Sequence, residues 1–378
     1  MLWDMQQLAA APRWEKTSVC HAAGLQGVFY EGLNFRGQPT KVFAWIGMPD
    51  VQDETVPAMV LIHGGWGTAF ADWVKLWTAR GYAAIAMDLC GKIPQGNQPD
   101  WVRHGSAGPP GWGGFEQVDW PVTDQWLYHA VADVILGHSL LRSWPGVDPH
   151  RIGMTGISWG GFLTALVSGV DARFRFGAPV YGCGFIGEDS SWKDLGEFER
   201  MGSVRAAKWL RLWDPAHYLP RGTMPLLWIN GTNDSAYPIT SWQKSYRAGW
   251  GPRTVCLIHE MVHSHYGPGE NPPGIHAFAD QHLKAGHPLA RAISIHRDRA
   301  HLLAEFHEGA PIIRGEILST RDTAGWRQRK WQRSGATVSR TGKTVTINGT
   351  LPNGATAACI NSIDTRQCTV SAEHLAWS

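Results

Sequence analysis

Between about residue 28 and residue 290, short apolar runs typical of β-strands alternate with stretches that have helical spacing. Ala58–His63 and Tyr82–Leu89 are two of the apolar runs, and Trp73–Ala79 lies between them with the periodicity of a helix. Strands this apolar must be covered on both faces, and helices between consecutive parallel strands provide that cover. The alternation predicts an α/β fold with a doubly wound, mostly parallel sheet.

Further elements follow the same rhythm. We predict additional strands at Phe43–Met48, Arg151–Ile157, Phe174–Val180, Pro225–Ile229 and Thr254–His259, and additional helices at Val122–Leu141, Gly161–Val170 and Ile275–Leu283. Two long insertions interrupt the pattern, at about residues 91–120 and 183–220. Insertions of this length in a compact domain commonly cover or line a binding site.

The pattern becomes β-like after about Leu289. Short apolar runs, among them Ile312–Leu318 and Thr344–Ile347, are separated by turn residues such as Asn348 and Gly349. This spacing is typical of a small β-sandwich. We therefore expect an N-terminal extension at 1–27, an α/β domain at 28–289 and a β-rich accessory domain at 290–378.

The charge balance excludes some classes of partner. Lysine and arginine number 34 against 32 acidic residues, so the sequence indicates neither nucleic acid nor a membrane surface as a partner. The sequence contains no apolar stretch long enough to cross a bilayer and no visible signal peptide at residues 1–14. We expect a soluble protein, cytoplasmic, or secreted or periplasmic if a leader has been removed, that can form a homo-oligomer.

The six cysteines show neither a C-x-x-C pair nor the spacing of a zinc site. Cys359 and Cys368 flank a polar turn and can pair across a hairpin, a question that sequence leaves open, although we favour free thiols. We expect no metal and no cofactor.

The segment Gly156–Gly160 reads G-I-S-W-G and matches the G-x-S-x-G nucleophile motif. A predicted strand precedes it and a predicted helix follows, which is the setting that the motif requires. The flanking glycines leave room for a sharp turn that exposes Ser158. The same turn directs the backbone N–H of Trp159 towards the reacting oxygen. Ser158 is the candidate nucleophile.

A serine needs a base, and the base needs an acid that orients it. In this arrangement the acid and then the histidine follow the serine along the chain. Asp234 lies in the loop after the predicted strand Pro225–Ile229, and His263 lies just beyond the next strand. We predict a triad of Ser158, Asp234 and His263, with His265 as the alternative base.

A second oxyanion donor is expected from the turn after an early strand. His63–Gly67, with the sequence H-G-G-W-G, occupies that place, and its glycines allow close approach of the backbone to a substrate oxygen. Sequence leaves open whether Gly65 or Trp66 supplies the amide. Aromatic residues in loops provide flat walls for a substrate, and we expect Trp101, Trp112, Tyr237 and His265 to line the pocket.

Taken together, His63–Phe70, Arg80–Leu89, G-I-S-W-G-G and G-T-N-D resemble the acetylxylan esterase and dienelactone-hydrolase-like α/β-hydrolases, relatives of prolyl-oligopeptidase-type enzymes. The resemblance spans about residues 28–290. It implies Ser158 as nucleophile, Asp234 as acid and His263 as base, acting through an acyl-enzyme. Two departures stand out: Trp66 replaces a usual glycine, and a serine nucleophile argues against true dienelactone hydrolysis.

The sequence thus predicts a serine esterase that acts on acetylated carbohydrate or another small-molecule ester. Two alternatives remain open. A prolyl-oligopeptidase-type peptidase would share the triad, although such enzymes usually carry a large N-terminal gating domain. A non-catalytic carbohydrate-binding protein on a degenerate hydrolase core would use the tryptophan-rich loops for adhesion, although every triad candidate is present.

Overall fold

The structure is a computed structural model that describes residues 2–51 and 55–377. Met1 and Ser378, the outer ends of two predicted domains, lie outside the described residues, as do residues 52–54 of the α/β domain. The strands of the described chain are β1 Trp14–Lys16, β2 Gln26–Glu31, β3 Lys41–Gly47, β4 Val56–Ile62, β5 Ala83–Met87, β6 Lys92–Ile93, β7 Val102–Arg103, β8 Val147–Ile157, β9 Gly177–Val180, β10 Leu226–Gly231, β11 Arg253–Ile258, β12 Arg291–Asp298, β13 His301–His307, β14 Ile312–Thr320, β15 Gln332–Thr341, β16 Thr344–Thr350, β17 Ala357–Asp364, β18 Thr369–Ser371 and β19 Leu375–Ala376. The helices are α1 Met5–Ala9, α2 Ala71–Thr78, α3 Trp126–Arg142, α4 Trp159–Ser168, α5 Ser191–Asp194, α6 Glu197–Met201, α7 Ser203–Trp213, α8 Ile239–Ala248 and α9 Pro273–Leu283.

A central sheet organises the first three quarters of the molecule. Within the described residues it has nine strands in the order β1-β2-β3-β5-β4-β8-β9-β10-β11. Strands β1, β2 and β3 are antiparallel, and β3 pairs antiparallel with β5. The other six strands of the sheet, β5-β4-β8-β9-β10-β11 in spatial order, run parallel. The predicted doubly wound, mostly parallel sheet is confirmed.

Strand β4 explains why the sheet has helices on both faces. Its seven residues are all buried. Val60 and Ile62 belong to one hydrophobic cluster, together with residues of α3 and α4, whereas Met59 and Leu61 belong to a second cluster with residues of α2 and α9. Because successive side chains point to opposite faces of a strand, a continuous apolar run requires a helical layer on each side.

Several element boundaries differ from the predictions. The long helix begins at Trp126 instead of Val122, because Val122–Asp124 forms a separate 3₁₀ turn and Gln125 is extended. Helix α8 and strand β12 lie where we had predicted no specific element. Strand β1 and the first two residues of β2 fall in the segment expected as an N-terminal extension, and β1 pairs with Val28–Tyr30 of β2 at the edge of the central sheet.

The C-terminal region is antiparallel β, as predicted. In the described residues its eight strands form one sheet in the order β12-β13-β16-β15-β14-β17-β18, with β19 also on β17. Strand β15 pairs through its first half with β14 and through its second half with β16. The two halves of the sheet fold towards each other, so that β14 contacts β16 and β13 contacts β17. The sandwich-like domain expected from the sequence is thus formed by one antiparallel sheet that curls as a half-barrel.

Side chains of the C-terminal sheet satisfy the free edge of β11. The N–H of Leu257 donates to Ser371 Oγ at 2.8 Å, and its carbonyl accepts from Asn361 Nδ2 at 3.0 Å. Ser371 Oγ in turn donates to Asn361 Oδ1 at 2.6 Å, and Asn361 Nδ2 also donates to Glu316. This buried network joins the last parallel strand to the C-terminal sheet.

All six cysteines are free thiols, including Cys359 on β17 and Cys368 beside β18. In residues 2–51 and 55–377, no helix combines the length and the apolar character needed to cross a bilayer.

Candidate active site

Ser158 lies at the junction of β8 and α4 in a strained backbone conformation, with φ of 58° and ψ of −118°. Two neighbouring glycines make this turn possible. A Cβ on Gly156 would lie 2.1 Å from the carbonyl oxygen of Gly160, and a Cβ on Gly160 would lie 1.9 Å from that of Ile62. Trp159 is the first residue of α4, so its backbone N–H has no carbonyl partner within the helix. The N–H lies at the helix N-terminus, where the helix dipole gives a positive potential.

Asp234 and His263 form a close pair. Asp234 follows β10, its side chain is fully buried, and its Oδ2 lies 2.6 Å from His263 Nδ1. The other carboxylate oxygen accepts the backbone N–H groups of Ala236, at 2.9 Å, and Tyr237, at 2.7 Å. Because Nδ1 donates to the carboxylate, Nε2 of His263 is the nitrogen that can accept a proton.

The ring of His263 is held between two tyrosines. Its centroid lies 4.4 Å from that of Tyr181 and 6.5 Å from that of Tyr237. The Tyr181 hydroxyl donates to the carbonyl of Ser264 at 2.6 Å, which fixes the loop after β11. His263 and Ser158 line the same cavity.

The turn after β4 presents backbone amides to that cavity. His63 Nδ1 is 2.9 Å from the carbonyl oxygen of Gly64, and the N–H of Gly67 donates to the same oxygen at 3.2 Å. In a trans peptide the N–H points opposite to the carbonyl. Since the Gly64 carbonyl faces the turn interior, the N–H of Gly65 is directed away from it, and Gly65 lines the cavity.

The cavity has a volume of about 650 Å³ and is largely aromatic. Its side chains come from the turn His63–Gly67, the start of α4, the two insertions and the loop after β11: Trp66, Trp159, Gln98, Trp112, Phe115, Trp192, Leu195, Glu197 and Tyr266. Trp66 and Tyr266 are 63% and 61% exposed, which is unusual for side chains of this size. The cavity therefore offers flat aromatic surfaces at an open mouth.

Comparison with known proteins agrees with this geometry. The family model described as "Acetyl xylan esterase (AXE1)" matches residues 4–187, which include the oxyanion turn and Ser158. Acetyl xylan esterase from a Paenibacillus species superposes with a TM-score of 0.58 at 21% identity, over 74% of this chain and 92% of that chain. Acetyl xylan esterase 1 from a Thermoanaerobacterium species gives 0.55 at 16% identity, over 74% and 91%. The chain has the α/β-hydrolase fold.

Proteins named as peptidases also resemble this chain. The acylaminoacyl peptidase of Pyrococcus horikoshii superposes with a TM-score of 0.52 at 18% identity, over 70% of this chain and 42% of that chain. The curated protein "Uncharacterized peptidase YuxL" of Bacillus subtilis is 25% identical over 224 residues, 55% of this chain. The match spans 30% of that relative's length.

The structure brings Ser158, Trp159, Gly65, Trp66, His263 and two of the predicted pocket residues, Trp112 and His265, around one cavity. Trp101 and Tyr237, also predicted for the pocket, lie behind its wall. The indole N–H of Trp101 donates to the carbonyl of Trp66 at 2.9 Å, and Tyr237 is fully buried beside Trp192. These two residues support lining residues and do not line the cavity themselves.

Sequence reasoning missed the lining residues of the second insertion. Trp192, Leu195 and Glu197 lie on or beside the short helices α5 and α6, and all three reach the cavity. The prediction that insertions line binding sites pointed to this segment, but its helices are too short to give a periodic signal. Among the described residues, no group of three potential metal ligands is arranged to hold an ion.

His63 of this α/β-hydrolase is uncharged at neutral pH, because complete burial lowers its pKa to about 3. Its Nδ1 donates to Gly64 and its Nε2 accepts the N–H of Leu89 at 3.0 Å, which uses both nitrogens of the neutral ring. Burial likewise lowers the pKa of His129 on α3 to about 4. Protonation of either ring would leave a buried charge.

We expect these histidines to make folding weaker in acid. Below pH about 6.5 these histidines bind protons in the unfolded chain but stay neutral in the folded chain. The stability that they contribute above that pH is therefore lost as the pH falls towards 4. Each fully buried ring then costs about 2 kcal/mol at pH 5. The test variant is His129→Gln, whose amide can still donate to Thr123. When the pH is lowered to 5, its free energy of unfolding, measured with urea, should fall by about 2 kcal/mol less than that of the unmodified protein. The exposed His296 serves as control through His296→Gln. An equal pH dependence in His129→Gln and the unmodified protein would contradict the assignment.

Proposed function

We propose that this α/β-hydrolase is a serine esterase that acts through an acyl-enzyme. The observation that carries the proposal is the 2.6 Å contact between His263 and the buried Asp234, on an imidazole that shares a cavity with the strained Ser158. An imidazole that is oriented by a carboxylate and shares a cavity with a serine can activate a hydroxyl that is otherwise a poor nucleophile.

In the proposed reaction, Ser158 Oγ attacks the ester carbonyl while its proton passes to Nε2 of His263. The negative oxygen that develops accepts hydrogen bonds from the N–H groups of Trp159 and Gly65. His263 then gives its proton to the departing alcohol oxygen, which leaves the acyl group on Ser158. Water attacks this acyl-enzyme with His263 again as base, and the acid is released.

The acetylated carbohydrate that we propose as substrate is supported by two observations. The matched family model is that of acetyl xylan esterase, and it spans the oxyanion turn and the nucleophile. The cavity mouth carries exposed aromatic rings, on which a sugar ring can pack. At about 650 Å³ the cavity also has far more room than an acetyl group needs, so the remainder is available to the alcohol part.

A peptidase is the second candidate, because the curated relative and one of the solved structures are named as peptidases. The two candidates share a nucleophile and differ in the leaving group. The deciding experiment compares acetylated xylan, p-nitrophenyl acetate and an acyl-peptide p-nitroanilide, with covalent labelling by a fluorophosphonate. We expect labelling and ester hydrolysis. A preference for the anilide would favour the peptidase, and absence of both labelling and hydrolysis would contradict both candidates.

Trp66 supports a role in binding the alcohol part. Its backbone has a φ of 58°, a left-handed conformation that a glycine would adopt at lower cost. A large, exposed aromatic side chain at a strained position supports a functional role for the side chain itself.

We therefore expect Trp66→Gly to raise KM for an acetylated xylo-oligosaccharide about 3–10-fold, the equivalent of one aromatic contact, while KM for ethyl acetate stays within about twofold. The free energy of unfolding should change by less than about 1 kcal/mol, since relief of strain offsets the added freedom of the unfolded chain. Trp250→Gly, at an exposed tryptophan after α8, is the control. Equal rises in KM for both esters would argue against a contact with the sugar.

A further inference from the structure

The loop after β11 carries a second histidine at the cavity whose contacts differ from those of His263. Nε2 of His265 accepts the backbone N–H of Gly64 at 3.2 Å. The ring packs against Phe70 with a centroid distance of 4.7 Å, and its side chain is almost fully buried. Because Nε2 already accepts a hydrogen bond from the oxyanion turn, His265 is poorly placed to serve as the base.

The same hydrogen bond indicates the tautomer of the neutral His265 ring. Since Nε2 is the acceptor, the neutral ring carries its proton on Nδ1. Nδ1 lies 3.7 Å from Glu270 Oε1, and within the described residues both atoms are buried without a hydrogen-bond partner. A buried N–H and a buried carboxylate oxygen this close attract each other, so Glu270 favours the form of His265 that can accept from Gly64.

Gly64 is held from three sides. Its N–H is bound by His265, and its carbonyl accepts from the His63 ring and from the N–H of Gly67. The turn also lies directly against the nucleophile: a Cβ on Gly64 would be 2.9 Å from Ser158 Cβ and 3.1 Å from His265 Nε2. Any rotation of the peptide before Gly64 therefore moves the amide of Gly65 relative to Ser158.

We propose that His265, oriented by Glu270, is a positioning residue that holds the turn His63–Gly67 so that the Gly65 amide faces the oxyanion. The inference rests on the proposed esterase function. His265 itself touches neither the acyl carbon nor the departing alcohol. Its contribution is the orientation of a donor that acts only when negative charge develops, so its loss should lower kcat with little change in KM.

Two replacements separate this role from others. His265→Phe keeps an aromatic ring against Phe70 but offers no acceptor to Gly64. His265→Gln restores an acceptor oxygen at a similar distance from the backbone. We expect kcat for p-nitrophenyl acetate to fall about 10–100-fold in His265→Phe, less than when a donor is removed outright, and to recover at least partly in His265→Gln.

Inhibition by a trifluoromethyl ketone distinguishes positioning from a general structural defect. Its adduct with the serine carries an oxyanion, so the inhibition constant should rise in His265→Phe by the same factor by which kcat/KM falls. A variant with fewer folded molecules would lose kcat without that rise. His259→Phe is the matched control, because His259 is bound to the carbonyl of Trp331 instead and should keep its kcat within about twofold.

Hydrogen exchange at the Gly64 amide tests the contact without any substrate. We expect exchange at least about tenfold faster in His265→Phe than in the unmodified protein. Exchange should also be faster in Glu270→Leu, by a smaller factor, and least affected in Glu270→Gln, whose amide oxygen can still accept from His265 Nδ1. Unchanged kcat together with unchanged exchange would overturn the inference. A loss in His265→Phe as complete as that of a nucleophile variant would also overturn it, since that result would identify His265 as the base.

If the unmodified protein neither hydrolyses esters nor reacts with a fluorophosphonate, the proposed function fails, and the exchange experiment still decides whether His265 holds the turn.

Discussion

Replacing Ser158 with alanine is expected to lower kcat/KM for p-nitrophenyl acetate by at least about 10⁴-fold and to abolish fluorophosphonate labelling. The oxyanion amides and the cavity remain in the variant, but no oxygen is left to form the acyl-enzyme. Folding should be preserved, since alanine meets the same strained turn without a new contact, and the free energy of unfolding should change by less than about 0.5 kcal/mol.

The matched control for this variant is Ser143→Ala. Ser143 ends α3, where its hydroxyl donates to the carbonyl of Leu140, and it takes no part in the site. Its activity should equal that of the unmodified protein. Hydrolysis by Ser158→Ala at a tenth or more of the normal rate, with the protein folded, would rule out Ser158 as nucleophile and with it the proposed mechanism.

Asp234→Asn is expected to reduce kcat at neutral pH by about 10³–10⁴-fold while the protein stays folded. The asparagine oxygen can still accept the amides of Ala236 and Tyr237, so the loop after β10 keeps its shape. The amide nitrogen would face His263 Nδ1, where two donors cannot meet. The ring would then take the form with its proton on Nε2, which cannot accept a proton from Ser158.

Circular dichroism and urea unfolding should separate this chemical loss from a loss of structure. Asp280→Asn provides the comparison, because Asp280 on α9 accepts from the Tyr82 hydroxyl in a partly buried contact outside the cavity. That variant should keep full activity. If Asp234→Asn keeps more than about a tenth of the normal kcat, another group must orient the base.

The sequence was sufficient for the fold because the fold depends on local patterns. Apolar runs such as β4 are buried whichever tertiary contacts surround them, and their order with the helices predicted a sheet that the structure confirms. Strand β12 and helix α8 were not predicted: β12 is mostly exposed along its length, and α8 combines a polar composition with three buried aromatic or β-branched positions, Ile239, Trp242 and Tyr246. Weakly patterned segments acquire their structure from the surfaces against which they pack.

In the candidate site, too, some residues could be predicted from local patterns and others could not. Chain order and motif placed Ser158, Asp234 and His263 after strands β8, β10 and β11, at the edge where parallel strands bring their loops together. The walls could not be predicted so well. Trp101 and Trp112 look equivalent in sequence, since both lie in the same glycine-rich insertion. Trp112 nevertheless lines the cavity, whereas Trp101 donates to the carbonyl of Trp66 from behind the cavity wall. Which face a loop side chain presents depends on contacts across the chain that no local pattern encodes.

The amide and carbonyl of Leu257 on β11 hydrogen-bond to Ser371 and Asn361 instead of to another strand. The same strand leads into the loop that holds His263, so the last strand of the central sheet ends its hydrogen bonding on side chains of the C-terminal sheet. An unpaired strand edge readily recruits a foreign strand. The C-terminal sheet therefore covers that edge with side chains. We expect residues 1–290 on their own to expose an unpaired strand beside the loop that carries His263, and to associate through it.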